Sequence, residues 1–186
     1  MATSSSSVTT IARAMSDNGV MSAAHLFLVC GLPGAGKTAT ATQLAVEHQA
    51  VRMCPDEWME HLGVDLWDAE ARERIEQLQW ATAGEILRRG TNIVIEWGLW
   101  RRWERQRLIT EAHSIGVAVH LVLLDPPLDV LWERIESRGR ETRLGARAIT
   151  RAELKQWHHD FERPDDDELA RYDALTVDEI RDDRGM

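Results

Sequence analysis

A chain of 186 residues with 44% hydrophobic and 28% charged content is sized for one domain with a full core. Its net charge of −9 argues against a general nucleic-acid binder, which needs a positive surface to displace counterions. No stretch approaches the ~18 apolar residues of a membrane span, and Cys30 and Cys54 are too few for a disulfide framework, so a cytoplasmic protein with free thiols is expected. The charge is uneven. Residues 160–186 hold 11 acidic and 4 basic residues and carry −7 of the total, which leaves room for a local basic site in the nearly neutral remainder.

Residues 1–22 are rich in Ser, Thr and Ala and read as a mobile tail ahead of a single domain over 23–186. They fit neither a transit peptide nor a secretory signal. The apolar run 25–30 is a buried strand. It leads into Gly31-Leu32-Pro33-Gly34-Ala35-Gly36-Lys37-Thr38, the G-x-x-x-x-G-K-[ST] pattern of a phosphate-binding P-loop. The glycines let backbone N–H groups turn around phosphate oxygens. Lys37 brings a compact cation to the β- and γ-phosphates, and the Thr38 hydroxyl suits Mg²⁺. A helix to about residue 48 starts here and points its positive end at the anion. Gly31, Leu32, Pro33, Gly34, Ala35, Gly36, Lys37, Thr38 and Thr40 are therefore the expected ATP-binding residues. The only other lysine is Lys155.

Residues 50–53 form a short second strand, stopped by Pro55. Asp68 caps a helix to about Arg89, with Ala71, Ile75, Leu78, Thr82 and Ile86 at helical spacing and Gly90 closing it. Residues 92–95 form a third strand ending in Glu96-Trp97-Gly98. A helix over 103–114 follows. The run 117–124 is the strongest strand, apolar enough to predict burial on both faces. Pro126 and Pro127 open a helix to Arg138, and Thr150-x-x-Glu153 is a capping box for another ending before Pro164. Residues 174–177 predict a last short strand. Five strands alternating with helices imply a parallel, doubly wound α/β sheet with ligands at the carboxyl ends of the strands.

Trp58, Trp97 and Trp100 follow the ends of strands two and three, on the acceptor side of the loop, and are candidates to line a pocket for a flat or apolar molecule. Trp132 and Trp157 read as helix packing. Arg101, Arg102, Arg105 and Arg107 suit either an anionic acceptor or a solvated helix face.

The P-loop at 31–38, Pro55-Asp56 after strand two and Arg134-x-x-x-Arg138 in a late helix together resemble the P-loop kinase-like proteins grouped as AAA-domain ATPases. Relatives in that group include zeta toxins, chloramphenicol phosphotransferase and polynucleotide kinase. The resemblance spans about residues 25–178. It implies a three-layer P-loop NTPase fold, a five-stranded parallel sheet of order 2-3-1-4-5 with a small helical lid, and transfer of the γ-phosphoryl group of MgATP to a hydroxyl. Asp56 then matches the acceptor-binding aspartate; the competing role is a cap for a helix over 57–62. Glu96 stands where relatives often carry Asp, and is a candidate for Mg²⁺ or for the acceptor. Arg134 and Arg138, with Arg140 and Arg143 nearby, match lid arginines; the competing role is a solvated face paired with Glu133, Glu136 and Glu141. The expected activity is an ATP-dependent kinase of a small molecule such as an antibiotic, nucleoside or sugar derivative, acting as monomer or homodimer. The alternatives are a nucleotide-binding ATPase or regulatory module without an acceptor, and a polynucleotide 5′-kinase.

Overall fold

The computed structural model describes residues 24–137 and 147–174. The expected tail, and with it any test of the domain's outer limits, lies outside them. In chain order the elements are β1 (His25–Gly31), α1 (Lys37–Glu47), β2 (Val51–Met53), α2 (Pro55–His61), α3 (Ala69–Arg88), β3 (Ile93–Gly98), α4 (Arg102–Ser114), β4 (Ala118–Leu124), α5 (Leu128–Ser137), α6 (Arg151–Asp160) and α7 (Asp166–Leu169). The strands are parallel in the order β2-β3-β1-β4. Phe27 of β1 stands beside Val94 of β3 and His120 of β4, and Val51 of β2 beside Ile93.

Strand alternation sorts the core into two layers. Leu26, Leu28 and Cys30 of β1 join Ala83 and Leu87 of α3, Leu108 and Ala112 of α4 and Leu131 of α5 on one face. Phe27 and Val29 pack with Val94 against Ala41 and Leu44 of α1 on the other. The three-layer α/β arrangement is as expected. The strand count differs: among the described residues the sheet has four strands, not five. Residues 175–177 of the expected fifth strand lie outside the described residues, and Ala174 is not in a strand. The chain does reach the outer edge of β4 at Asp173, whose N–H donates to the Val119 carbonyl at 2.8 Å. The Val119 N–H is taken by the Asp173 carboxylate at 2.7 Å rather than by a backbone carbonyl, so no ladder starts there.

Two other expectations shift. β4 is not buried on both faces, because Leu123 is 36% exposed at the described edge of the sheet. In α3 the buried stripe is Ile75, Gln79, Ala83 and Leu87, while Leu78 is exposed. Gln79 belongs to that stripe because its Oε1 accepts the Trp97 indole N–H at 2.8 Å, a bond that apolar periodicity does not register. No helix among the described residues is long and apolar enough to cross a membrane.

Arg105 departs furthest from a solvated helix face. It is fully buried in α4 and holds Glu168 of α7 through two bonds, Nε to Oε1 at 2.5 Å and Nη2 to Oε2 at 2.9 Å. Its Nη1 donates to the Leu99 carbonyl at 2.9 Å, in the turn just after β3. Removing one partner of such a pair strands a buried charge. Arg105→Met is expected to cost about 3–5 kcal/mol in urea unfolding. Arg101→Ala, whose partner Glu162 is on the surface, should leave the midpoint nearly unchanged.

Candidate active site

β1 ends in the glycine loop, and the loop closes on itself through Ala35 N–H donating to the Leu32 carbonyl at 3.1 Å. Gly34 and Gly36 adopt φ of 82° and 102°, left-handed values that L side chains avoid. A Cβ on Gly34 would also lie 2.7 Å from the Leu131 carbonyl oxygen, so glycine lets α5 sit directly on the loop. Gly36 stands at the N-cap of α1 and no side chain caps that end. The first-turn N–H groups are thus left for an anion. Leu32 and Ala35 are buried, Pro33 is half-buried, and Thr40 sits in the first turn of α1 with its N–H bonded to the Gly36 carbonyl at 3.1 Å.

Lys37 opens α1, and its Nζ donates to the Leu32 carbonyl at 3.1 Å. Burial lowers its pKa below the usual lysine value, while Asp56 and then Glu96 pull it back up. The Thr38 hydroxyl donates to Glu96 Oε1 at 2.5 Å. Glu96 is buried on β3, and its Oε2 accepts Arg52 Nη1 at 2.6 Å. The other Arg52 nitrogen binds Glu57 of α2. Thr38, Glu96, Arg52 and Glu57 therefore form one chain of hydrogen bonds from the loop to α2. Sequence reasoning missed Arg52. The available signal was an arginine inside a short strand, where a charge needs a partner.

Arg134 of α5 reaches the loop: its Nη1 donates to the carbonyls of Gly34 at 3.3 Å and Ala35 at 3.2 Å. Arg138, Arg140 and Arg143 lie outside the described residues. Cys30, beside the loop, is no nucleophile, because burial pushes its thiol up to about 12.

Asp56 is not a helix cap. It lies inside α2, whose N-cap is Cys54. Arg72 of α3 donates to its Oδ1 at 2.6 Å, a partner 16 positions on that the sequence did not signal. The three candidate tryptophans lie in different surroundings. Trp97 borders a cavity of about 360 Å³ between α3 and α4, together with Arg72, Glu76 and Trp103. Trp58 lines a separate hollow with Leu62 and Leu78. Trp100 donates from Nε1 to the Gly31 carbonyl at 3.3 Å and rests against Trp157 of α6, ring centroids 5.6 Å apart. Trp157 in turn lies 6.1 Å from Trp67, which carries the Arg147 guanidinium 3.9 Å above its ring. Trp100 thus braces the loop through an aromatic row. Leu99 just before it holds φ 53°, a costly conformation for a branched residue.

The family model of the AAA domain matches residues 26–164. No match was found among curated proteins. Several solved structures are similar in fold, three of which follow. A candidate kinase from Chloroflexus aurantiacus J-10-fl has 22% identity and TM-score 0.64, covering 77% of this chain and 82% of its own. A chain of the Pnkp1/Rnl/Hen1 RNA repair complex has 20% identity and TM-score 0.61, with 79% of this chain covered but only 47% of that one. A gluconokinase from Sinorhizobium meliloti 1021 has 18% identity and TM-score 0.53, covering 80% of this chain and 89% of its own. At these identities the likeness is one of fold. With the family model spanning most of the chain and the phosphate loop built as described, this protein belongs to the AAA-domain family of P-loop kinase-like proteins.

Proposed function

We propose that this protein is an ATP-dependent kinase that transfers the γ-phosphoryl group to a hydroxyl of a small molecule. The observation that carries the reading is the pair of carboxylates around Lys37. Glu96 on β3 bonds the Thr38 hydroxyl, and Asp56 near the start of α2 and Glu96 both act on the Lys37 ammonium through their charge. Family membership and the fold shared with kinases support it.

The loop amides from Gly31 to Thr38, with Thr40 in the helix behind them, bind the phosphates. Lys37 neutralises the β- and γ-oxygens. Thr38 and Glu96 suit Mg²⁺: a hydroxyl and a carboxylate oxygen stand 2.5 Å apart beside the loop. Bound there, the ion would neutralise phosphate charge. Arg52 and Glu57 hold the Glu96 carboxylate in place. Arg72 binds Asp56 through Oδ1 alone, so Oδ2 can accept the acceptor's proton. As that O–H proton moves to Asp56, the acceptor oxygen bonds to the γ-phosphorus and the bond to the leaving ADP oxygen breaks. Trp97, which borders the cavity between α3 and α4, lines the acceptor side, together with Trp58 and Trp100.

Arg134 supplies charge at the γ-phosphate. Arg134→Ala is expected to lower kcat about 10²-fold or more while KM for ATP changes less, since the interaction grows as charge develops. Steady-state kinetics at saturating acceptor checks this, and an unchanged kcat returns Arg134 to a structural role. Arg138 is offered for the same task.

The kinase reading itself is tested by ADP release from MgATP across a panel of hydroxyl compounds. ADP formation that depends on one class of small alcohol is the expected result. Equal ADP formation with no acceptor would point to an ATPase module. Dependence on a 5′-hydroxyl oligonucleotide would point to a polynucleotide kinase.

A further inference from the structure

We infer that the cavity between α3 and α4 is the acceptor subsite for an alcohol that also carries an ammonium group, with Glu76 as its counter-ion. This rests on the kinase reading for its link to chemistry, but the cavity makes its own case. Its volume of about 360 Å³ is in the range of small-molecule sites. Two indoles border it, Trp97 and the largely exposed Trp103, and aromatic rings beside a carboxylate form the usual receptor for an organic cation.

Of the charges around the cavity, Arg72 and Glu104 have close partners, and Glu76 is held only loosely. Arg72 is tied to Asp56 at 2.6 Å and stands 4.0 Å from Glu76. Glu104 accepts the Arg101 backbone N–H at 2.9 Å in the capping box of α4. Glu73 accepts from the Gln77 amide at 3.3 Å. Glu76, half-buried, has no hydrogen bond of its own among the described residues and only the long contact to Arg72. Arg107 is exposed at the rim, and its pull on Glu76 is weaker than that of Arg72. An anion entering the cavity would meet three glutamates against Arg72, already paired with Asp56, and Arg107 at the rim. A cation would meet a carboxylate held only by the 4.0 Å contact to Arg72, whose stronger partner is Asp56. Burial, against the pull of Arg72 and with the repulsion of Glu104 and Asp56 added, raises the Glu76 carboxyl to about 7. An arriving ammonium therefore gains most when Glu76 has ionised, and affinity rises with pH through that value.

Arg72 also connects the subsite to the nucleotide. It borders the cavity and holds Asp56, which in turn acts on Lys37. An alcohol anchored by its ammonium at Glu76 is thereby held on the Asp56 side of the loop.

The test uses three alcohols of matched shape: choline, its uncharged carbon isostere, and hydroxypivalate as the anion. All keep their charge across the neutral range, so any pH dependence belongs to the protein. Binding is read by calorimetry and by the indole N–H resonances of Trp97 and Trp103. The expected result is that choline binds about tenfold tighter than either analogue and shifts both indoles. Its affinity should rise between about pH 6 and pH 8, following the Glu76 value of about 7. Glu76→Gln should abolish the preference and the pH dependence without altering MgATP binding, and Glu76→Asp should restore part of both. Hydroxypivalate binding as well as choline, a Glu76→Gln variant that keeps the preference, or no perturbation of the indoles by choline would each overturn the assignment. Binding by choline without any ADP formation would sink the kinase reading and leave the subsite standing.

Discussion

Replacing Lys37 with alanine is expected to abolish ATP turnover while leaving the fold intact. Lys37 is the only lysine in the loop sequence, and on the kinase reading its compact ammonium neutralises the β- and γ-phosphate oxygens. Its loss should weaken MgATP binding and lower kcat by about 10³-fold or more. The stability argument runs the opposite way. Burial lowers the pKa of Lys37, and apart from Asp56 and Glu96 its direct bond is one to the Leu32 carbonyl at 3.1 Å. Without a phosphate, the site holds this charge at a cost. Lys37→Ala should therefore melt at the same temperature as the wild type or slightly above it, the usual exchange between a poised site and stability. Calorimetric titration with MgATP and thermal melting check both halves. Unchanged affinity and turnover would remove the loop from the chemistry.

Local signals made the loop and its frame legible. Gly31 to Thr38 is a contiguous pattern, and the apolar runs of β1 and β3 are short and bounded by turn residues. Each fixes its own backbone without reference to the rest of the chain. What stayed hidden depends on residues far apart in sequence. Arg105 looked like one charge on a basic helix face, and only the fold brings Glu168 to it across 63 positions. Arg52 gained meaning from Glu96, 44 positions on. Gln79 broke the apolar stripe of α3 and yet is buried, because Trp97 gives its amide oxygen a donor. The indoles of Trp58, Trp97 and Trp100 all lie at or just past strand ends, but pleat and turn send them to three surroundings. Hydrophobic period reports burial of apolar side chains, and these residues are buried or placed by polar partners instead.

Asp56→Asn is expected to separate a kinase from a bare ATPase. The amide keeps the shape of the carboxylate, and Arg72 can still donate to its oxygen. The pair is partly solvated, with side-chain exposures of 30% and 45%, so losing its charge should cost less than about 1 kcal/mol of stability. Asp56 lies inside α2 and does not cap it, which removes the other structural reason for a large effect. MgATP binding should stay nearly intact, since Thr38 and Glu96 are untouched. Phosphoryl transfer should fall by about 10²–10⁴-fold, the range for loss of a general base, because an amide cannot take the proton from the acceptor hydroxyl. Single-turnover transfer from γ-labelled ATP to an acceptor found in the panel, with melting in parallel, measures this. Transfer at the wild-type rate would take Asp56 out of the mechanism. Loss of ATP binding together with transfer would instead move Asp56 to the Mg²⁺ side of the loop, and Glu96 would become the group that faces the acceptor.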